Sequence, residues 1–526
     1  MVRALNVPVL GLLAYLCWSS SAPVQAGKVL VIPVDGSHWL SMRILVEELS
    51  QRGHEMVVLV PETSVLIGGS GNYITKSFHV PYSSDELSSQ LDIIRKSAFD
   101  KPPEFTDIFK NLGNLIKFTS IQVKGCEGLL YDESLMKSLR EMGFDAMLTD
   151  PFLPCGTILA ETFSLPAVYF LRGIPCRLDE SAAQCPAPPS FVPRFFTGFS
   201  DKMNFPERVK NTIMSIFEMY LCRILFASFN ELASRYLQKD TTYKELLGHG
   251  AVWLLRYDFA FEYPRPLMPN MVQIGGINCA NKGPLVKELE EYVNGSGEHG
   301  FVVFTLGSMV SQLPEAKAKE FFEAFRQIPQ RVLWRYTGPV PENAPKNVKL
   351  MKWLPQNDLL GHPKVKAFIT HGGSHGIYEG ICNAVPMVML PLFGDQGDNV
   401  QRLVSRGVAE TLSIYDITSE KLLVALRKVI NDKSYKEKMT KLSAIHRDRP
   451  IEPLDLAVFW TEFVMRHKGA DHLRPAAHEL NWIQYHCLDV IGFLILILVT
   501  VIFVTVKSCM FCFRKCFRKT KKNKKE

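Results

Sequence analysis

Short, unbroken apolar runs that each close on a polar turn constrain this chain most. KVLVIPV (28–34) and EMVVLVP (55–61) show no apolar–polar alternation, so each predicts a strand buried on both faces. Between them, residues 39–51 place apolar side chains at 40, 44, 45 and 49, a helical stripe, and Arg52-Gly53 ends it. Strand, helix, strand with short connections is a parallel unit. A further strand is expected at 144–149. The second half repeats the pattern at 301–307, 331–337, 347–353, 366–371 and 386–392, with helices over 315–328 and 374–384. The fold class is therefore α/β with two doubly wound domains. The pattern breaks at NKGP and NGSGEHG, so the expected domains are 27–285 and 286–450. Residues 60–140 and 175–250 read as helical or irregular.

Both ends carry membrane signals. Arg3, the apolar stretch 7–18 and Val24-Gln25-Ala26 predict a secretory signal peptide over 1–26. Residues 490–506 are uncharged and apolar. A bilayer core of ~30 Å needs about 20 helical residues, so the expected span is 487–506. Residues 507–526 hold nine Lys/Arg and one Glu, a net +8 against +7 for the whole chain, so the remainder is net −1. The basic character belongs to a cytosolic tail, and nucleic acid is not an expected partner. Lys522 and Lys524 resemble a dilysine retrieval signal, which places the protein in the endoplasmic reticulum membrane with a lumenal body. Residues 451–486 are expected to be helical and to lead to the membrane. Of twelve cysteines, eight lie between the signal and the tail, at spacings that do not define a pairing. Asn294-Gly295-Ser296 is an N-glycosylation sequon in a polar stretch expected to be a surface loop.

Ligands of open α/β sheets bind beyond the carboxyl ends of the strands. Three polar segments stand at such ends: 35–38, 149–151 and 371–375. In THGGSHG (370–376) a strand passes through glycines into a helix, which offers free N–H groups and partial positive charge to an anion. His375 and Glu379, four apart, share a helix face. Taken alone, these are as readily an exposed surface pair, Trp353 a core residue, and GDQGDN a polar turn.

The segment 353–396, WLPQNDLLGHPKVKAFITHGGSHGIYEGICNAVPMVMLPLFGDQ, closely resembles the UDP-glycosyltransferase signature. VPVDGSHWLSM, LTDPF, YPRPLMPNMVQIGGINC, FTLGSMV and the membrane tail extend the resemblance over nearly the whole chain, most closely to the vertebrate UDP-glucuronosyltransferases. The resemblance implies two Rossmann-like domains of GT-B type facing a cleft, the first binding acceptor and the second binding UDP-sugar. It implies that Trp353 stacks on uracil with Gln356 beside it, and that Glu379 holds the ribose. His371, Gly373, His375 and Ser308 would lie at the diphosphate, and Asp395 and Gln396 at the donor sugar. Arg256 would lie near the phosphates or the sugar carboxylate.

His38 would be the general base and Asp150 its orienting carboxylate. No permanent cofactor and no metal is implied. UDP-glucuronic acid is the co-substrate, and the helix terminus with His371 would neutralise the leaving diphosphate. Partners would be small lipophilic acceptors (phenols, steroids, bilirubin-like compounds), the membrane, and other copies or relatives in a homo- or hetero-oligomer. Two readings stay open beside this one: the same fold using UDP-glucose, UDP-galactose or UDP-N-acetylglucosamine, and a membrane-anchored small-ligand binding protein.

Overall fold

The computed structural model of the chain describes residues 26–100, 107–280 and 282–522, so the expected signal segment lies, but for Ala26, outside the described residues. The chain divides into a unit ending at Leu473 and a second beginning at Arg474. The first unit holds two parallel sheets. One comprises β1 (Lys28–Ile32), β2 (Glu55–Pro61), β3 (Ile74–Phe78), β4 (Ala146–Thr149), β5 (Ala167–Leu171), β6 (Val252–Leu255) and β7 (Met271–Gln273), in the order β3-β2-β1-β4-β5-β6-β7. The other comprises β8 (Phe301–Thr305), β9 (Arg331–Arg335), β10 (Val348–Met351), β11 (Val365–Thr370), β12 (Met387–Met389) and β13 (Ala409–Thr411), in the order β10-β9-β8-β11-β12-β13.

Each order reverses once, between β1 and β4 in the first sheet and between β8 and β11 in the second. At such a switch point the two neighbouring connections leave toward opposite faces and open a crevice. Register brings the strand ends there abreast. Ile32 pairs with Thr149, and Thr305 with Thr370.

The strands are apolar on both faces because both faces are covered. Helix Ser37–Gln51 packs Trp39, Leu45 and Leu49 on one side of the first sheet. Helix Pro453–His467 returns from the far end of the first unit to pack Ala457, Val458 and Val464 into the same core. This part of the stretch 451–486 thus completes the first domain rather than leading away from it. In the second sheet Trp334 is 1% exposed, with Phe304, Phe322 and Tyr336 at centroid distances of 4.9, 4.8 and 4.4 Å. The middle of the first domain is helical, including Asp107–Leu130 and Phe205–Leu225.

Disulfides Cys126–Cys155 and Cys176–Cys222 join elements of the first domain. Cys279–Cys382 ties the interdomain connection to the end of helix Ser374–Cys382. Asn294 is exposed but closes helix Lys287–Asn294 rather than lying in a loop, and its amide donates to Glu290 at 2.7 Å. In the second unit, helix Leu488–Lys522 carries an apolar stretch, Leu488–Phe517, long enough to cross a membrane. It runs past residue 506 into the basic tail because no Gly or Pro follows Gly492.

Two tryptophans of the second domain should behave oppositely. Trp334→Ala should destabilise the protein by about 3–5 kcal/mol, the cost of a large cavity in a core that closes poorly. Trp353→Ala, at a residue 49% exposed, should shift stability by less than about 1 kcal/mol. Thermal unfolding of the two variants in one detergent checks the contrast; equal losses would contradict it.

Candidate functional site

The polar residues gathered at the cleft follow strand carboxyl ends. His38 follows β1, Asp150 β4, Arg172 β5 and Arg256 β6; Ser308 follows β8, Trp353 β10, His371 β11 and Asp395 β12. His38 with Asp150 and Ser308 with His371 occupy the two switch points.

His38 stands in the first turn of helix Ser37–Gln51. Gly36, at φ 85°, makes the turn from β1, and a Cβ there would touch Met309 of the second domain at 3.4 Å. Asp35 ties this turn down by accepting from Gly36 N, Ser64 Oγ and Val65 N at 2.7–2.8 Å. His38 Nδ1 donates to Asp150 Oδ2 at 2.6 Å. The Asp150 side chain is fully buried, and its Oδ1 accepts from Phe152 N at 3.0 Å. A carboxylate only accepts, so Nδ1 carries the proton, and in the neutral ring Nε2 presents its lone pair. Nε2 has no protein partner among the described residues, and the His38 side chain keeps 26% of its surface open.

On the second domain, His371 is packed between two glycines. A Cβ on Gly307 or on Gly373 would come within 2.5 or 2.6 Å of its ring. Burial pushes the imidazole down to about 4, against the pull of Asp395. Without an anion beside it, it is therefore a neutral hydrogen-bonding group near pH 7. The N-terminus of helix Ser374–Cys382, which follows it, offers free N–H groups and partial positive charge. The Ser308 hydroxyl is buried without a partner among the described residues, as a group awaiting a ligand would be. Arg335 holds the loop carrying Ser308 by donating to Gly307 O and Ser308 O. Its guanidinium also lies over the Trp353 ring, 5.1 Å from the centroid, and that residue stays 49% exposed.

A hydrogen-bonded relay crosses between the domains. Arg256 donates to Ser41 Oγ at 3.3 Å, and Ser41 Oγ donates to His375 Nδ1 at 2.9 Å. His375 Nε2 then donates to Glu379 Oε1 at 3.1 Å, and the Gln356 amide donates to Glu379 Oε2. Glu379 is thus buried with both oxygens engaged, and Gln356 positions it rather than standing beside Trp353 alone. Arg256 is buried, its Nε lacks a partner among the described residues, and burial lowers its basicity against the field of Asp150.

Asp395 and Gln396 open helix Gln396–Val404. Gln396 Oε1 accepts from Leu392 N and Phe393 N at 2.8 and 3.0 Å, so only its amide N–H groups remain for a ligand. Asn399, fully buried, orients Asp395 by donating to Oδ2 at 2.8 Å, and accepts from Arg172 at 2.9 Å. Arg172 pairs with Glu262, which Arg402 also meets at 3.1 Å. Burial opposes the Glu262 charge, but the two guanidiniums outweigh it and hold its carboxyl below the usual range. Ser41, Arg172, Glu262 and Asn399 were not expected from the sequence. Arg172 had a readable signal, since it directly follows the apolar run AVYFL. Cys279, Cys382 and His446 form the one cluster of three metal-ligand residue types among those described, and its two sulfurs share a disulfide.

Residues 27–523 match the family described as UDP-glucoronosyl and UDP-glucosyl transferase. The chain belongs to this family. It is 55% identical over 502 residues to UDP-glucuronosyltransferase 1A1 of Rattus norvegicus, covering 95% of this chain and 94% of the relative. It is 52% identical over 517 residues to UDP-glucuronosyltransferase 1A1 of Homo sapiens, covering 98% and 97%. Among solved structures, Os79 from O. sativa in complex with UDP superposes with TM-score 0.55 at 16% identity, covering 83% of this chain and all of that one. This last likeness shows the fold alone, two Rossmann-like domains of GT-B type. The chain is a glycosyltransferase whose co-substrate is a UDP-sugar.

The glycine packing of the transferase gives a direct test. Gly373 has φ −66°, which any residue adopts, so Gly373→Ala is opposed only by the His371 ring. Overpacking of this kind should lower stability by about 1–3 kcal/mol. In His371→Ala the same substitution should cost much less. Thermal unfolding of the single and double variants checks this, and an equal loss in both backgrounds would contradict the packing.

Proposed function

We propose that the enzyme transfers glucuronic acid from UDP-glucuronate to hydroxyl groups of small lipophilic acceptors such as phenols, steroids and bilirubin-like compounds, with His38 as general base. The glucuronosyl donor follows the relatives named above. The observation that carries the chemistry is the 2.6 Å His38–Asp150 pair, with Nε2 unpartnered at the switch point of the first sheet. The acceptor O–H gives its proton to Nε2 while its oxygen bonds to the anomeric carbon. The bond from that carbon to the diphosphate oxygen breaks, and UDP takes its electron pair. Asp150 stabilises the imidazolium and holds the tautomer.

The donor lies across the second domain. Uracil stacks on the half-exposed ring of Trp353, and Glu379, fixed by His375 and Gln356, meets the ribose hydroxyls. The diphosphate takes hydrogen bonds from His371, the Ser308 hydroxyl and the backbone N–H groups after Gly373. Asp395 accepts from sugar hydroxyls and the Gln396 amide donates to them. Arg256, a buried cation that donates to the Ser41 hydroxyl, provides the charge for the acidic end of the sugar.

His38→Ala should leave UDP affinity nearly intact and lower turnover by about 10²–10⁴-fold. Asp150→Asn should lose a similar factor, and the double variant no more than the worse single one, because base and orienting carboxylate act as a unit. UDP binding by calorimetry alongside initial rates checks this. Additive losses, or loss of UDP binding, would assign the pair to shaping the pocket.

Helix Leu488–Lys522 anchors the enzyme in the endoplasmic reticulum membrane with the body lumenal and the basic end cytosolic. Asn294, exposed to that lumen, is the glycosylation site. Protease added to sealed microsomes should remove only residues beyond about 507, where the basic flank emerges. Digestion of the body in intact vesicles would reverse the topology.

A further inference from the structure

Asp395 and Gln396, assigned above to the donor sugar, are followed on the same helix by a further carboxylate. Asp398 is the third residue of helix Gln396–Val404. A carboxylate at that position ordinarily folds back onto the amide that precedes its own helix. Asp398 reaches across to the first domain instead. Its Oδ2 accepts from Phe196 N at 2.9 Å and its Oδ1 from Gly198 N at 3.1 Å. Two backbone N–H groups turned toward one point make a concavity for an anion, and this carboxylate fills it with both oxygens.

The loop is shaped for the contact. Phe196 and Gly198 have φ of 63° and 64°, and between them the Thr197 hydroxyl donates to Arg194 O at 2.7 Å. A phenylalanine in the left-handed region is strained and persists only where its surroundings hold it. Phe196 is 66% exposed, so little packing holds its ring, and the carboxylate of Asp398 holds its backbone. The base of the loop is anchored within the first domain, where Arg194 N donates to Asn211 Oδ1 at 2.7 Å. The tip is fixed from the second domain. With the tip in place, half-buried Phe195 faces inward: a Cβ on Gly173 would lie 3.3 Å from Tyr257 Oη and 3.6 Å from the Phe195 ring. Gly173 follows Arg172 beyond the carboxyl end of β5, where the first sheet meets the cleft.

We infer that Asp398 is a positioning residue of the transfer reaction: by clasping loop 194–198 from the donor-binding domain, it sets Phe195 against the acceptor. The inference rests on the reading above that the acceptor occupies the first-domain side of the cleft. The test uses the full-length enzyme in detergent, with UDP and 1-naphthol as probes and naphthol fluorescence as the measure of acceptor affinity, so it needs no turnover. Asp398→Asn keeps the shape but turns an amide NH2 toward one of the two backbone N–H groups. Affinity for 1-naphthol in the presence of UDP should weaken by about tenfold or more, the worth of one charge-assisted hydrogen bond. UDP affinity should be unchanged, and hydrogen exchange at Phe196 and Gly198 should accelerate. Asp398→Glu, which restores the charge on a longer arm, should recover part of the acceptor affinity. In turnover the loss should appear in the acceptor KM and not in kcat, the reverse of His38→Ala. Unchanged 1-naphthol affinity in Asp398→Asn would overturn the inference. So would a parallel loss of UDP affinity, which would make Asp398 a structural part of the donor domain. Failure of the unsubstituted enzyme to transfer glucuronate would refute the proposed reaction instead, and the affinity comparison would still decide the clasp.

Discussion

Strands buried on both faces leave a chain few places to put polar chemistry. In this protein β1, β4, β5, β6, β8 and β11 are almost wholly enclosed, so their polar residues gather where the backbone leaves the sheet. The Ile32–Thr149 and Thr305–Thr370 pairings then decide which loops stand abreast. That alignment, more than any single side chain, brings a histidine and a carboxylate 112 residues apart to hydrogen-bonding distance.

The electrostatics of the cleft follow from the same burial. An unpaired buried charge is costly, so the site keeps His371 neutral and surrounds Glu262 with two guanidiniums. The Arg256–Ser41–His375–Glu379 relay links the end of β6 to helix Ser374–Cys382, so the domains share hydrogen bonds as well as apolar contact. Cys279–Cys382 ties the interdomain connection to the second domain, and helix Pro453–His467 carries the chain back onto the first.

Much of this was legible in the sequence. Every strand expected in the second half is present, and Ser308, Trp353 and His371 lie just beyond strand ends, while His375, Glu379 and Gln396 lie on the helices that follow. The first half was less readable. Strands β5 and β6 are only five and four residues long and lie among helices, so apolar runs there did not separate from helical faces. Residues such as Ser41 and Asn399 sit in ordinary helical positions, and their importance comes from partners 334 and 227 residues away. Helix Phe205–Leu225 is amphipathic in sequence, but only the fold shows that its apolar side faces outward. The disulfides are likewise a property of packing, because no cysteine spacing defines them.

The central claim is that His38 removes a proton as the glycosidic bond forms. Its help should matter most for an acceptor that holds its proton tightly. The most direct measurement is the single-turnover rate of the unsubstituted enzyme and of His38→Ala across phenols of graded acidity and an aliphatic alcohol, all at saturating donor. The account predicts that the rate ratio between the two enzymes shrinks steadily as the acceptor becomes more acidic. A ratio that stays constant across the series would contradict it.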